Sequence, residues 1–352
     1  MRRLSENSLI AEYLAPLASH PGAFGLKDDA ALLTALPSSG LVVTADGLVA
    51  GVHFFEDDDP GDVAYKALAV NVSDLAAKAA KPLAYTLTLA LADAPDEGWA
   101  TRFTAGLRRG GDRFGIALIG GDTVSARGAW WLSITAFGEA SSRGMVPRGG
   151  ARPGDILYVS GTLGDSAFGL AIRRNPDRFG WLDETSRDYL RGRYLYPQPR
   201  LELTAALSRY GSAAMDISDG LALDLSRMCT ASGVSAEVQI DTLPLSEAAR
   251  RIANANPEAI RTILAGGDDY EILAAVPGES AKDFEAAGQE AGIALTATGR
   301  VLPGAEGPKF LTAREEELPL SALGFEHFTS GSDKPLRAGL HGRATYNPKS
   351  GS

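Results

Sequence analysis

The stretch MDISDGLALDL, residues 215–225, sets Asp216, Asp219 and Asp224 between an apolar patch and a leucine-rich segment of helical spacing. It reads as a strand end, a turn and a helix start. One acid at a helix N-terminus is favourable, as a cap and as a partner of the helix dipole. A second carboxylate three residues away repels the first unless a cation lies between them. The stretch therefore has two readings, an N-cap with a surface charge or a metal site, and the rest of the chain must decide between them.

Outward from this stretch, apolar strand-like runs repeatedly end in aspartate. Asp46 follows LVVTA, Asp122 follows ALIGG, Asp216 and Asp219 follow SAAM, and Asp268 and Asp269 follow ILAGG. Asp28 and Asp29 precede AALL, and Asp74 sits within the helical NVSDLAAK. Aspartate is common in turns for structural reasons, so no single one of these is decisive. Their recurrence is. In open α/β folds ligands bind beyond the carboxyl ends of strands, and carboxylates gathered there call for a hard, oxygen-seeking cation, Mg²⁺ or Mn²⁺. Glycine pairs precede Asp122 and Asp268, and adjacent glycines let backbone amides approach an anion.

Between these acids the periodicity alternates. It predicts helices over 5–18, with Ser5 as cap, over 60–82, opened by Pro60 and stopped at Pro82, and over 97–114. It predicts strands over 83–91 and 129–140, and a strand over 116–124 that runs into a Gly-Gly-Asp turn. The Gly-Gly-Asp at 110–112 reads as the end of a helix. In the second half, GDSAFGLAIRR, LALDLSRMCTASG and 279–293 read as helical, and AAMD, AEVQI, EILAAV and ALTATGRV as strands. The cluster of glycine, proline and arginine at 147–161 is the best boundary. The expected division is 1–150, 151–330, and a disordered tail over 331–352, which is rich in Gly, Ser, Lys and Arg.

The 352 residues suit two domains, and a hydrophobic content of 45% permits a full core. A net charge of −10 without a basic run argues against DNA or RNA as partner. The single Cys229 rules out an internal disulfide framework and fits a reducing cytosol. Neither a signal peptide nor an apolar run long enough to span a membrane is present in this sequence, so a cytoplasmic protein is expected. The chain has no G-x-x-x-x-G-K-[ST], no G-x-G-x-x-G, no H-E-x-x-H and no G-x-S-x-G. With four histidines a His-based zinc site is poorly supported.

KDDAALL, TADGLVAGVHF, AYKALAVNVSDLAAKAAKP, LIGGDTV, MDISDGLALDL and GGDDYEIL occur in this order. The ordered set resembles the thiamine-monophosphate kinases, in the superfamily of aminoimidazole ribonucleotide synthetase, over roughly residues 5 to 328. The resemblance implies an α/β (α+β) fold of two domains, the N-terminal one forming a β-barrel at a homodimer interface and the C-terminal one packing a sheet against helices. It implies ATP and several Mg²⁺ ions between them. It implies transfer of a phosphoryl group from ATP to thiamine monophosphate, the last step to thiamine diphosphate.

Residue by residue, it implies Asp29, Thr44, Asp46, Asp74, Asp122, Asp216 and Asp219 as Mg²⁺ ligands. Gly121, Asp122, Arg148 and Ser218 are implied as nucleotide contacts, and His53, Asp268 and Phe325 as contacts to thiamine monophosphate. Asp46, Asp122, Arg148 and Asp216 would carry the chemistry. The chain departs from the family pattern at Lys27, Ala45, Gly47 and Asp268, where family members often have Gly, a hydroxyl residue, Thr and Glu. Two rival readings remain. One is a synthetase of the same superfamily acting on another substrate, and Cys229 is misplaced for a selenophosphate synthetase. The other is a Mg-nucleotide sensor without catalysis.

Overall fold

The computed structural model describes residues 3–27, 31, 39–320 and 324. The chain opens with three short helical pieces: α1 (Glu6–Ser8), a π-helical turn over Leu9–Leu14 and a 3₁₀ turn over Ala15–Leu17. One continuous helix was the expectation. Ser5 caps the segment, its Oγ accepting the Ser8 N–H. The tightening into 3₁₀ geometry coincides with Pro16, which has no N–H to continue an α-helical ladder.

Next come β1 (Leu41–Val49), α2 (Pro60–Ala77), β2 (Lys81–Leu91), α3 (Glu97–Phe114), β3 (Ala117–Ser125) and β4 (Trp131–Glu139). Asp59 caps α2 ahead of Pro60, and Asp96 caps α3. The strands form one sheet in the order β1-β4-β2-β3, antiparallel except for the parallel pair β2/β3. Helix α2 packs on β1, β2 and β4, and α3 packs on α2. The two helices meet at glycine, since a Cβ on Gly106 would lie 1.9 Å from the Gly61 carbonyl oxygen. That contact accounts for Gly106, and Gly110 is limited by the Leu68 side chain 3.0 Å from where its Cβ would stand; Gly110–Asp112 is helical and the helix ends later, at a left-handed Gly115.

Two further boundaries differ from expectation. Helix α2 ends at Ala77, Ala79 takes a positive φ of 56°, and Pro82 lies within β2. The Gly-Gly-Asp at 120–122 is not a turn, because β3 continues through it to Ser125, with a bulge at Ile119 just before it. Glycine is needed at 121 by close approach, as a Cβ there would lie 1.9 Å from the Leu87 carbonyl oxygen of β2.

The second half contains β5 (Ile156–Ser160), α4 (Asp165–Arg174), α5 (Glu184–Leu195), α6 (Thr204–Tyr210), β6 (Ala213–Asp216), α7 (Leu221–Ser232) and β7 (Ser235–Gln239). It continues with α8 (Glu247–Ala255), α9 (Ala259–Ala265), β8 (Ile272–Val276), α10 (Ala281–Glu290), β9 (Leu295–Leu302) and β10 (Pro308–Leu311). Its sheet has the order β10-β7-β9-β5-β8-β6 and is antiparallel except for β10/β7. The fold is thus mixed α/β in two sheet-bearing halves. Both sheets are largely antiparallel, so the crevice rule for parallel sheets does not locate the site here.

Each half has its own core, one around Leu68, Phe103 and Leu132, the other around Leu157, Phe168 and Leu225. A third cluster joins them, with Ala76, Ala77 and Ala79 packed among Tyr158, Leu207 and Phe284. Helix α2 is the shared element. Sixteen of its eighteen residues are buried, including Lys66, Asn71 and Ser73, as befits a helix covered on all sides. The N-terminal sheet is open, with β1 and β3 as edges, and no closed barrel forms among the described residues of the single chain. No helix among the described residues is long and apolar enough to cross a membrane.

Candidate active site

Thr44 and Asp46 are two apart on β1 and therefore share the face turned toward α2. The Thr44 hydroxyl donates to Asp74 Oδ2 of α2 at 2.5 Å. One turn earlier in α2, the buried Asn71 accepts the Asp46 N–H at 3.1 Å and donates to the Ala67 carbonyl at 2.9 Å. Asn71 thus clips the strand to the helix and holds both acids in place. From the second half, β6 delivers Asp216 to the same region, almost fully buried.

The electrostatics reflect this gathering. Burial first, then Asp74 and Asp219, push the Asp46 carboxyl up to about 6. Burial and Asp74, with lesser contributions from Asp224 and Asp46, raise Asp216 well above the carboxylate range. Like charges held together out of water oppose ionisation unless a cation joins them.

The three aspartates of the 215–225 stretch have different tasks. Asp224 is fully buried in the first turn of α7 and is not a metal-site candidate. Its Oδ2 accepts the N–H groups of Ser218 and Asp219, each at 3.0 Å, so it fixes the loop that carries them. Burial pushes it up to about 6 despite those bonds and the Arg227 pair. Asp219 pairs with Arg227 as well. A second loop braces the first: the Asp268 N–H donates to the Ser218 carbonyl at 2.8 Å, and the Tyr270 N–H to that of Ile217 at 2.9 Å. Gly267 permits this, since a Cβ there would lie 2.4 Å from the Ser218 oxygen.

The acids of the GGDDYE segment divide in the same way. Asp269 is buried and accepts the Gly164 N–H at 2.7 Å at the start of α4. Glu271 is buried against Arg193, Arg200 and the Ser160 hydroxyl. Only Asp268 turns toward the junction of the halves, where its Oδ2 meets Lys66 Nζ at 2.9 Å. The same ammonium lies 3.4 Å from the His53 carbonyl and 3.7 Å from the centroid of the Tyr194 ring. The Tyr194 hydroxyl also donates to the His53 carbonyl, at 3.1 Å. His53 and Asp268 are therefore brought to one place. The Lys66 and Tyr194 that hold them were missed in the sequence, since a lysine in a helix reads as solvated and a tyrosine in α5 as core.

Other predicted residues are not brought to this cluster within one chain. Asp46 pairs with Ile134, Ile134 with Leu87, and Leu87 with Gly121. Gly121 and Asp122 thus stand on the opposite sheet edge, three strand spacings or about 14 Å from Asp46. Asp122 is exposed there. Arg148 is not among these: it is exposed in the segment after β4 and borders the cluster, since Lys78 senses its charge as well as those of Asp216 and Asp74. Burial lowers Lys78, which donates to the Ala214 carbonyl at 2.6 Å. Asp29 and Phe325 lie outside the described residues.

The donors offered by Thr44, Asp46, Asp74, Asp216 and Asp219 are all oxygens, which suits Mg²⁺. After burial, Asp74 is the largest charge acting on both Asp46 and Asp216, so the three carboxylates share one neighbourhood. Among the described residues no three His, Cys, Asp or Glu side chains are drawn tightly enough to hold an ion by themselves. The donor chemistry fits a divalent cation that would share its coordination with phosphate oxygens.

Comparison with known proteins agrees with both halves. The family model "AIR synthase related protein, N-terminal domain" matches residues 27–140, and its C-terminal counterpart matches residues 152–308. The thiamine-monophosphate kinase of Salmonella typhimurium is 40% identical over 92% of this chain and 98% of its own length. The crystal structure of thiamine-monophosphate kinase from Stenotrophomonas maltophilia matches with a TM-score of 0.77 at 36% identity, over 89% of this chain and 98% of that one. A structure of AaThiL complexed with AMPPCP and TMP matches with a TM-score of 0.73 at 30% identity, over 93% of this chain and 99% of that one. With such identity sustained across nearly the full length of its relatives, the chain belongs to the thiamine-monophosphate kinase family.

Proposed function

We propose that the chain transfers the γ-phosphoryl group of ATP to the phosphate of thiamine monophosphate, giving thiamine diphosphate and ADP. The observation that carries this reading is the meeting of Asp46, Asp74, Asp216 and Asp219 beside the place where His53 and Asp268 converge. One group suits a metal-bound polyphosphate and the other suits an acceptor. A relative of like fold was solved with AMPPCP and TMP together.

The acceptor is a phosphate monoester with a second pKa of about 6, by analogy with phosphorylated side chains. At neutral pH it is already an anionic nucleophile, so transfer is direct and in line, with no general base and no phosphoenzyme. The obstacle is charge. Mg²⁺ ions held by Thr44, Asp46, Asp74, Asp216 and Asp219 would neutralise the facing phosphates and align the attacking and leaving oxygens. The chain's own part is to hold those carboxylates through Asn71 and Asp224, to offer the Ser218 loop to the nucleotide and to place the Arg148 guanidinium at the phosphates.

The acting unit is a homodimer. Val43 on edge strand β1 is 54% exposed, and Val124 on edge strand β3 is exposed too. A second copy closing the two open sheets into a barrel would cover both. A site that uses Asp46 together with Gly121 and Asp122 would take the latter two from that copy. The chain divides near residue 150 into an N-terminal ATP- and metal-binding half and a C-terminal α/β half, in line with the spans of the two family models. A cytoplasmic location accords with the lone, buried Cys229.

The test is formation of ADP and thiamine diphosphate from Mg-ATP and thiamine monophosphate by the purified protein. Equal amounts of the two products, abolished by Asp216→Asn and by chelation, are expected. Binding of Mg-ATP without turnover would favour the sensor instead.

A further inference from the structure

We propose that Lys66 is a positioning residue for thiamine monophosphate, fixing Asp268 and the His53 loop from behind and so setting KM for that substrate. The proposal rests on the phosphotransfer reading above.

Lys66 lies in the middle of α2 with only 3% of its surface exposed. An ammonium taken out of water must be matched by acceptors, and its acceptors here are specific. They are Asp268 Oδ2 at 2.9 Å and the His53 carbonyl at 3.4 Å, and the Tyr194 ring lies 3.7 Å from Nζ. The three partners come from a loop of the N-terminal half, a loop of the C-terminal half and helix α5. The ammonium is the point at which they are tied together.

The Asp268 side chain keeps 29% exposure, whereas that of Lys66 keeps 4%. The carboxylate is therefore held from its buried side and open on the other. Its second oxygen accepts the Tyr270 hydroxyl at 3.2 Å. The backbone at Asp268 has a φ of 70°, a left-handed conformation that a residue with a side chain keeps only under constraint. Its N–H anchors the Ser218 loop. Lys66 is too buried to touch substrate, so its action passes through Asp268 and the His53 loop. A lysine kept only for packing would affect folding, and both substrates equally if either. A lysine that aims Asp268 affects one substrate.

The test is steady-state kinetics on the full-length wild type, Lys66→Met, Asp268→Asn and the double variant, with each substrate varied in turn. Lys66→Met is expected to raise KM for thiamine monophosphate tenfold or more while KM for Mg-ATP stays within twofold and kcat within threefold. Asp268→Asn moves KM in the same direction, and the double variant is no worse than the poorer single one. If Lys66→Met does not fold because it strands the Asp268 carboxylate, the comparison of the double variant with Asp268→Asn carries the test, and removing Lys66 there must add no further rise in KM for thiamine monophosphate. An unchanged KM for thiamine monophosphate, an equal rise for both substrates, or multiplicative effects in the double variant would overturn the proposal. A wild type that forms no thiamine diphosphate overturns the phosphotransfer reading along with it. A wild type that forms it while the variants keep their KM overturns this proposal alone.

Discussion

Replacing Asp46 by asparagine is expected to make the metal-free protein more stable while removing its activity. The carboxyl is pushed up from 3.8 to about 6 in the folded chain, by burial and then by Asp74 and Asp219. Below 3.8 the group is protonated in both states and has no effect. Between 3.8 and 6 the folded state keeps its proton while the unfolded chain releases it, so stability falls as pH rises. Above 6 the full penalty is present. Two pH units at about 1.4 kcal/mol each set a ceiling of about 3 kcal/mol, and screening at a half-buried site leaves about 1.5–3 kcal/mol. For a chain of this length that is roughly 2–4 °C in Tm. Asparagine keeps the shape and escapes the penalty. Thermal unfolding of wild type and Asp46→Asn in EDTA, at pH values from 4.5 to 8, measures the gap directly. It should widen as pH rises to 6 and then level off. Adding Mg²⁺ with ATP should stabilise the wild type more than the variant. A gap that does not change with pH, or a variant less stable than wild type at pH 7.5, would refute the placement of Asp46 in a strained acidic cluster.

Three further outcomes follow from other parts of the structure. Asp224→Ala leaves the Ser218 and Asp219 amides without their acceptor, so urea unfolding should show a loss of about 2–4 kcal/mol, with a raised KM for ATP. Gly106→Ala drives a methyl group into the Gly61 carbonyl and should lower stability by about 3 kcal/mol or more, read as a fall in Tm with no selective change in either KM. Val43→Glu puts a charge on the exposed apolar edge of β1, and light scattering should then find monomers without kinase activity, whereas an active dimer would remove the case for that edge as an interface.

Much of the fold was legible because its elements carry local signals. Helix α3 runs over the predicted residues because Asp96 caps it and Gly115 ends it. The alternating 83–91 segment is β2 with two residues added. Errors arose where tertiary contact overrides local chemistry. The glycine pairs at 110–111 and 120–121 read as breaks, yet both lie inside regular elements; Gly110 faces the Leu68 side chain and Gly121 lies against the Leu87 carbonyl, contacts that no single-chain pattern reveals. Helices α5, α6, α8 and α9 and the strand β10 have no counterpart in the sequence reading: α6, α8, α9 and β10 are too brief for a clear period, and α5 is mostly polar. In the site, acids after apolar runs form a legible pattern, but of these only Asp216 ends a strand: Asp46 and Asp122 lie within β1 and β3, and Asp268 follows α9. Nor does the pattern tell which acids serve structure. Asp224, Asp269 and Glu271 look like their neighbours in sequence and differ only in what they accept. Asp122 shows the converse. It carries the expected pattern, but strand order sets it on the wrong edge for Asp46 in the same chain.

The burial of α2 on all sides also limits how the enzyme can move. A hinge that swung one half away from the other would strip cover from the apolar end around Ala76 and Ala77 and break the pairs at Lys66 and Lys78 together. The halves should therefore behave as one rigid block on the time scale of turnover. Substrates would then enter and products leave through motion of the loops at the rim. Heating should likewise melt the chain in a single step, and neither half should survive as an independent piece after cleavage near residue 150.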